Sequence, residues 1–193
     1  MDSNGDKYTG EFYNGLFHGK GQTIFSNGDV YIGEYNQSLF HGNGQLRYAS
    51  SKIYIGEFLS GQYSGNGQIT WENGDVYIGQ FQHNLYQGNG QLINLSGKYV
   101  GEFSNGTMSG KGVLTKKNGW TFIGHFEAGV IEGKGEAYKS GVGIYTGDFA
   151  GGVACGFGEE TKTTGEKYSG QYKDGLMHGE GKLIRKTEKG YEK

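Results

Sequence analysis

The sequence predicts an all-β fold: an elongated antiparallel β-hairpin repeat solenoid in which eight repeats form one long twisted, grooved sheet. Three observations predict it. A Tyr-x-Gly-x-aromatic motif recurs eight times, starting at Tyr8, Tyr31, Tyr54, Tyr77, Tyr99, Phe122, Tyr145 and Tyr168, every 22 or 23 residues. Each copy is followed by Gly-x-Gly, from Gly19 and Gly21 through to Gly179 and Gly181. The chain also holds 40 glycines and no proline among 193 residues, yet carries 15 Tyr, 11 Phe and 2 Trp. Glycine at about three times its usual ~7% share suits a disordered polymer, but that much ring area can be buried, so the chain folds.

Counting the first ring of each motif as position 0, positions 0, 2 and 4 share one face of an extended strand. That face reads ring, glycine, ring (Tyr8, Gly10, Phe12; Tyr31, Gly33, Tyr35; Tyr54, Gly56, Phe58). The missing side chain leaves room for rings of adjoining strands. Position 7 is usually glycine, as at Gly15 and Gly61, which suits a turn with positive φ; Ser38 and Asn84 replace it in two repeats. Position 9 is always apolar, from Phe17 and Phe40 to Ala154 and Met177, and is expected to tuck under the turn. A second strand follows from the Gly-x-Gly, with Leu46, Ile69 and Leu92 at position 15 on the glycine face. Asn27-Gly28-Asp29 and Asn73-Gly74-Asp75 then signal tight turns into the next repeat. A helix is excluded, because each interior glycine would cost it about 1 kcal/mol.

One hairpin cannot stand alone. Ordering each residue costs about 1–2 kcal/mol, while each buried ring returns only about 1.5–3 kcal/mol. Stability must come from neighbours stacked in series. The expected segmentation is residues 1–7 as the closing turn of a preceding repeat or an N-terminal edge, 8–190 as the eight repeats, and 191–193 as a tail or a truncated ninth repeat.

Net charge is −2, with neither half a polycation, which excludes electrostatically driven nucleic-acid binding. Cys155 is the single cysteine, so no intrachain disulfide and no cysteine-based zinc site can form. No apolar run reaches the ~18–20 residues of a membrane-spanning helix, and the N-terminus lacks a signal-peptide layout. A cytoplasmic chain is expected.

These residues resemble MORN repeats (membrane occupation and recognition nexus), whose pattern is Tyr-x-Gly-x-Trp/Phe-x-x-Gly-x-x-x-Gly-x-Gly. The resemblance covers residues 8–188, with the frequent histidine before the first Gly of Gly-x-Gly present as His18, His41 and His178. Phe or Tyr stands for the usual Trp at position 4 throughout. The resemblance implies a non-enzymatic assembly module of cytoskeletal, cortical or axonemal settings, without cofactor. It would pair with itself through terminal repeats or hold a partner peptide or helix. Peripheral binding to anionic phospholipid, or service as the regulatory segment of a larger enzyme, are the alternatives it implies.

Residues that could carry chemistry read as structural. Gly19-Lys20-Gly21 lacks the helix and the Gly-Lys-Ser/Thr of a phosphate loop. Three of the five histidines occupy one repeat position and lie about 10 Å or more apart along the sheet. Cys155 has no designated base, and Glu11, Glu34, Glu57, Glu102 and Asp148 read as a solvated row opposite the rings. Gln22, Gln45, Gln68 and Gln91 form a second row on that face, expected to bond as a ladder. Position 17 carries the functional expectation. It is aromatic in the first three repeats (Phe25, Tyr48, Trp71), then Asn94, then Lys116, Lys139, Lys162 and Arg185. With Tyr8, Tyr31, Tyr54, Phe12, Tyr35 and Phe58, the aromatic part would line a partner-binding groove. The cations either lay their stems over rings or receive an anionic ligand.

Overall fold

The computed structural model describes residues 5–187 and 190–192, and all its regular structure is strand. Two compact units divide the chain: residues 1–94 with the turn 104–106, and residues 95–103 with 107–193. The first holds β1 (Lys7–Tyr13), β2 (Leu16–Ile24), β3 (Val30–Asn36), β4 (Leu39–Arg47), β5 (Ile53–Leu59), β6 (Gln62–Thr70), β7 (Val76–Gln82) and β8 (Leu85–Asn94). Each pairs antiparallel with the next. The second holds β9 (Gly97–Ser104), β10 (Thr107–Lys116), β11 (Thr121–Glu127), β12 (Val130–Lys139), β13 (Gly143–Ala150), β14 (Val153–Lys162), β15 (Lys167–Lys173), β16 (Leu176–Thr187) and β17 (Gly190–Glu192). From β10 onward these also pair in succession.

The hairpin turns inside each repeat are two residues long, and both residues have positive φ, as at Asn14 (50°) and Gly15 (79°). That is the pair of angles a type I′ turn needs to match strand twist. Position 6 therefore shares the constraint that the sequence reveals only at position 7. Gln37, His83 and Ala128 accept it at φ of 51°, 51° and 48°. Consecutive turns are tied by backbone bonds: Ser38 N–H donates to Phe17 O at 2.9 Å and Gly61 N–H to Phe40 O at 2.9 Å. In the second unit Gly152 N–H donates to Ile131 O at 3.1 Å and Gly175 N–H to Ala154 O at 2.9 Å.

The glycine face does something other than expected. Gly10 faces Gly21 across the β1–β2 pair, and Gly21 faces Gly33 across β2–β3. In every repeat but the one begun by Phe122, the ring lying over the glycine pair is that repeat's own position-0 tyrosine, not one from an adjoining strand. A Cβ on Gly67 would stand 2.5 Å from the Tyr54 hydroxyl. Lying flat, Tyr54 stacks on Tyr63 at 3.8 Å and meets Phe58 and Phe81 edge-on at 5.0 and 5.1 Å. Its hydroxyl donates to Glu57 O at 2.8 Å. Tyr31 and Tyr77 repeat the arrangement over Phe40 and Tyr86. In the first four repeats position 9 thus closes the hairpin by stacking on the tyrosine, and Tyr31, Tyr54 and Tyr77 are 0% exposed.

Between Gly10 and Glu11 the β1–β2 register shifts, because β2 carries two extra residues, Gly19 and Lys20. The same shift recurs between Gly33 and Glu34 and between Gly56 and Glu57. Here the acidic row finds its role. Glu11 Oε1 accepts Lys20 N–H at 2.9 Å, Glu34 accepts Asn43 N–H at 2.9 Å, and Glu57 accepts Asn66 N–H at 2.7 Å. Each side chain pins a bulge whose amide would otherwise lack a partner. The row is on the predicted face but is a structural clamp rather than a merely solvated surface. The glutamine row does not bond as a ladder. Register places Ile32 between Gln22 and Gln45, and Ile55 between Gln45 and Gln68, so like residues sit two strands apart. At about 4.8 Å per strand that is beyond hydrogen-bond reach.

Candidate functional site

In the first three repeats position 17 (Phe25, Tyr48, Trp71) lies just beyond the end of the second strand, where the chain turns toward the next repeat; in the others (Asn94, Lys116, Lys139, Lys162, Arg185) it lies within that strand. The sequence makes that turn tightly: Gly28 N–H donates to Phe25 O and Gly74 N–H to Trp71 O, both at 3.0 Å. Asp29 Oδ1 braces the neighbouring turn by accepting Ala49 N–H at 2.8 Å. The side chains then fall onto the position-9 rings of the following repeat. Phe25 meets Phe40 edge-on at 6.2 Å, and Trp71 meets Tyr86 at 6.3 Å. Tyr48 and Tyr63 share a hydroxyl bond of 2.6 Å, with the Lys52 ammonium 3.8 Å from the Tyr48 ring centroid.

All three remain half-buried. Phe25 lines a recess of about 530 Å³ together with Tyr8, Phe12, Phe17, Tyr35 and Phe40. Tyr48 and Trp71 line a second, of about 540 Å³, with Leu46, Ile69 and Tyr86. Among the other groove residues the expectation narrows. Tyr31 and Tyr54 at 0% and Tyr35 and Phe58 at 3% exposure are core, because each is covered by a stacked or edge-on ring. A partner cannot rest on them, although Tyr35 reaches the first recess. Tyr8 is half-buried and Phe12 61% exposed, since the first repeat has fewer rings packed on it. Burial pushes the Tyr35 and Tyr86 phenols up to about 12, in Tyr35 against a 2.6 Å bond with the Thr23 hydroxyl that lowers it. These hydroxyls stay neutral at ordinary pH.

The cationic positions of the second unit divide. Lys162 and Arg185 both bind Glu166, and Lys116 Nζ sits 4.8 Å from the Phe122 ring centroid. Lys116 and Lys139 have no carboxylate within ion-pair distance among the described residues. Lys116 thus follows the reading of a stem laid over a ring. No cluster of three or more His, Cys, Asp or Glu side chains placed to hold a metal occurs among the described residues, and Cys155 is half-buried with its carbonyl accepting Tyr145 OH at 3.4 Å.

The repeat around β11 and β12 departs from the rest, and sequence reading passed over it. Phe122 has no hydroxyl to tie to its strand, and His125 stands where the clamp carboxylate or amide sits elsewhere. Ile131 fills the glycine row instead: a Cβ on Gly135 would stand 2.6 Å from Ile131 Cδ1. Phe122 is displaced to half-burial beside Trp120 (6.3 Å) and Phe149 (6.4 Å).

Hairpins tied turn to turn and, in all repeats but the one begun by Phe122, cored by their own tyrosines define a β-hairpin repeat protein. The family model described as MORN repeat matches residues 8–30, 31–52, 54–76, 77–94, 99–121, 122–142, 145–167 and 168–187. The chain belongs to the MORN repeat family. No curated protein matches it. Among solved structures it is similar to the SAS-4 (dCPAP) TCP domain in complex with a proline-rich motif of Ana2 (dSTIL) of Drosophila melanogaster. That likeness has 11% identity and a TM-score of 0.38 over 100% of this chain and 90% of that one.

Proposed function

We propose that this chain is a non-enzymatic scaffold that captures a protein partner, a peptide or helix of a cytoskeletal, cortical or axonemal assembly, on the ring face of its first unit. The observation that carries the reading is the placement of Phe25, Tyr48 and Trp71. They occupy one repeat position, are half-buried, and line two recesses in the same unit, the one at Phe25 mainly apolar and the one at Tyr48 and Trp71 of mixed character. Amphipathic segments dock into such faces by inserting regularly spaced apolar anchors. Self-association through end repeats belongs to the same proposal: Phe12 and Tyr13 on β1 are 61% and 65% exposed. We place the protein in the cytoplasm on that reading.

Peptides selected by display against the whole chain supply the test. Their affinity, measured calorimetrically, should fall at least about a hundredfold in a Phe25→Ala/Tyr48→Ala/Trp71→Ala variant with unchanged circular dichroism, the loss of two or more anchors. Unchanged affinity would refute the assignment. Anionic phospholipid is the second reading, favoured by Lys116 and Lys139 having no carboxylate partner among the described residues. It requires cosedimentation with phosphatidylserine vesicles at low salt that is lost when both lysines become glutamine.

A further inference from the structure

The departure of one repeat from the pattern opens a cavity of about 310 Å³ within the second unit. Its walls are Trp120, Phe122, Tyr145, Phe149 and Tyr172. Small residues create the space. Ala154 stands at position 9, where the first unit has Phe17, Phe40, Tyr63 and Tyr86, and Ala137 stands at position 15, where it has Leu46 and Ile69. That volume is at the lower end of ligand sites and suits one long side chain rather than a large molecule.

Two polar groups face this cavity, and each has little beside it but the other. Tyr172 is 7% exposed, and its buried hydroxyl has no well-formed hydrogen bond, only the Glu160 carboxylate nearby. The corresponding hydroxyl of Tyr35 is bonded to Thr23 at 2.6 Å. Beside Tyr172 the place of Thr23 is taken by Glu160, a carboxylate at the position that Leu46, Ile69 and Ala137 fill as apolar core in other repeats. Glu160 lies near enough to raise the phenol's proton affinity, after burial the largest cause. It forms no ion pair: Lys162, which feels its charge, is bound to Glu166. A part-buried carboxylate whose neighbour is a buried phenol and which has no cation to balance its charge is costly. An incoming cation offers N–H donors to both. The ring walls supply the matching quadrupole, and Lys116 Nζ already rests over Phe122 at the rim.

We propose that this cavity is a receptor for a single cationic side chain, arginine or lysine, presented by a partner polypeptide, with Glu160 and Tyr172 as its polar floor and Trp120 and Phe122 as ring walls. The site lies in the other unit from the aromatic strip, so it stands or falls independently of that reading. An anionic group is disfavoured because it would face the Glu160 carboxylate.

The test uses the whole chain carrying Trp71→Phe, which leaves Trp120 as its one tryptophan, titrated with N-acetyl-arginine amide. The expected result is a saturable change in Trp120 emission in the millimolar range, absent with the neutral isostere N-acetyl-citrulline amide. Glu160→Gln should weaken binding about tenfold, as loss of a charge-assisted partner does. Lys116→Gln should strengthen it by removing a like charge at the rim. An equal response to citrulline, a response to N-acetyl-glutamate amide instead, unchanged affinity in Glu160→Gln, or no saturable change overturns the proposal.

Discussion

Adding one methyl group at Gly67 should break its repeat. The backbone there does not require glycine by its φ, so the effect is purely steric. The new Cβ would stand 2.5 Å from the Tyr54 hydroxyl and 2.8 Å from ring carbons Cε2 and Cζ. Tyr54 cannot slide aside, because Tyr63 stacks on its face at 3.8 Å while Phe58 and Phe81 meet it edge-on. The ring has to leave its slot. That forfeits about 1.5–3 kcal/mol of burial, about 0.5–1.5 kcal/mol of ring pairing and about 0.5–1.5 kcal/mol for the bond to Glu57 O. Gly67→Ala alone should therefore cost about 3–5 kcal/mol. In a Tyr54→Ala background the same methyl enters vacated space and should cost little. The coupling between the two sites would then nearly equal the whole single-site effect. Urea unfolding followed by Trp71 emission in a Trp120→Phe background reads the affected repeat locally. Strictly additive costs, or a Gly67→Ala cost below about 1 kcal/mol, would refute the ring-over-glycine account.

Other expectations concern the clamp, the turns and pH. Glu57→Ala should destabilise by about 1 kcal/mol through loss of the Asn66 amide bond, whereas Glu57→Gln should be nearly silent, since Gln80 holds Asn89 N–H at 3.0 Å in its own repeat. Ala128→Asn gives the turn at φ 48° a residue that tolerates it and should stabilise by about 0.5 kcal/mol in thermal unfolding. Buried phenols raised to about 12 at Tyr35, Tyr86, Tyr99 and Tyr145 bind their protons more tightly folded than unfolded. Their contribution is whole below the unfolded value near 10 and is lost as pH climbs from about 10 to about 12. Tyrosinate absorbance and loss of β-sheet dichroism should rise together in that window; gradual titration of an intact sheet would contradict the buried core.

What the residues disclosed depended on whether strand alternation and turn chemistry alone fix a role. Rings, glycines and the turn at position 7 could be read because their residue types recur at one spacing in every period. The carboxylate clamp was illegible, since Glu11 reads as surface until the two-residue bulge at Gly19 and Lys20 brings an amide to it. A signal did exist: Gln80 and Gln171 replace the acid at the same position, and what they share with it is an acceptor oxygen, not a charge. Parity put Tyr31, Tyr54, Tyr35 and Phe58 on the ring face, yet it says nothing about cover. A flat-lying tyrosine with a stacked neighbour seals that face, leaving position 17 as the accessible edge. Phe122 counted in the sequence only as one more start of the motif. Losing one hydroxyl together with the Ile131 substitution moved the ring and left the cavity beside it.

Hydroxyl-radical footprinting of the whole chain, alone and with a display-selected peptide, bears most directly on the claim that the stacked tyrosines are core while position 17 is left for a partner. Oxidation should spare Tyr31, Tyr54 and Tyr77 in both samples, mark Phe12, Phe25, Tyr48 and Trp71 in the free protein, and be suppressed at Phe25, Tyr48 and Trp71 by the peptide. Oxidation of the three tyrosines in the free protein, or a peptide footprint that leaves Phe25, Tyr48 and Trp71 fully reactive, would contradict it.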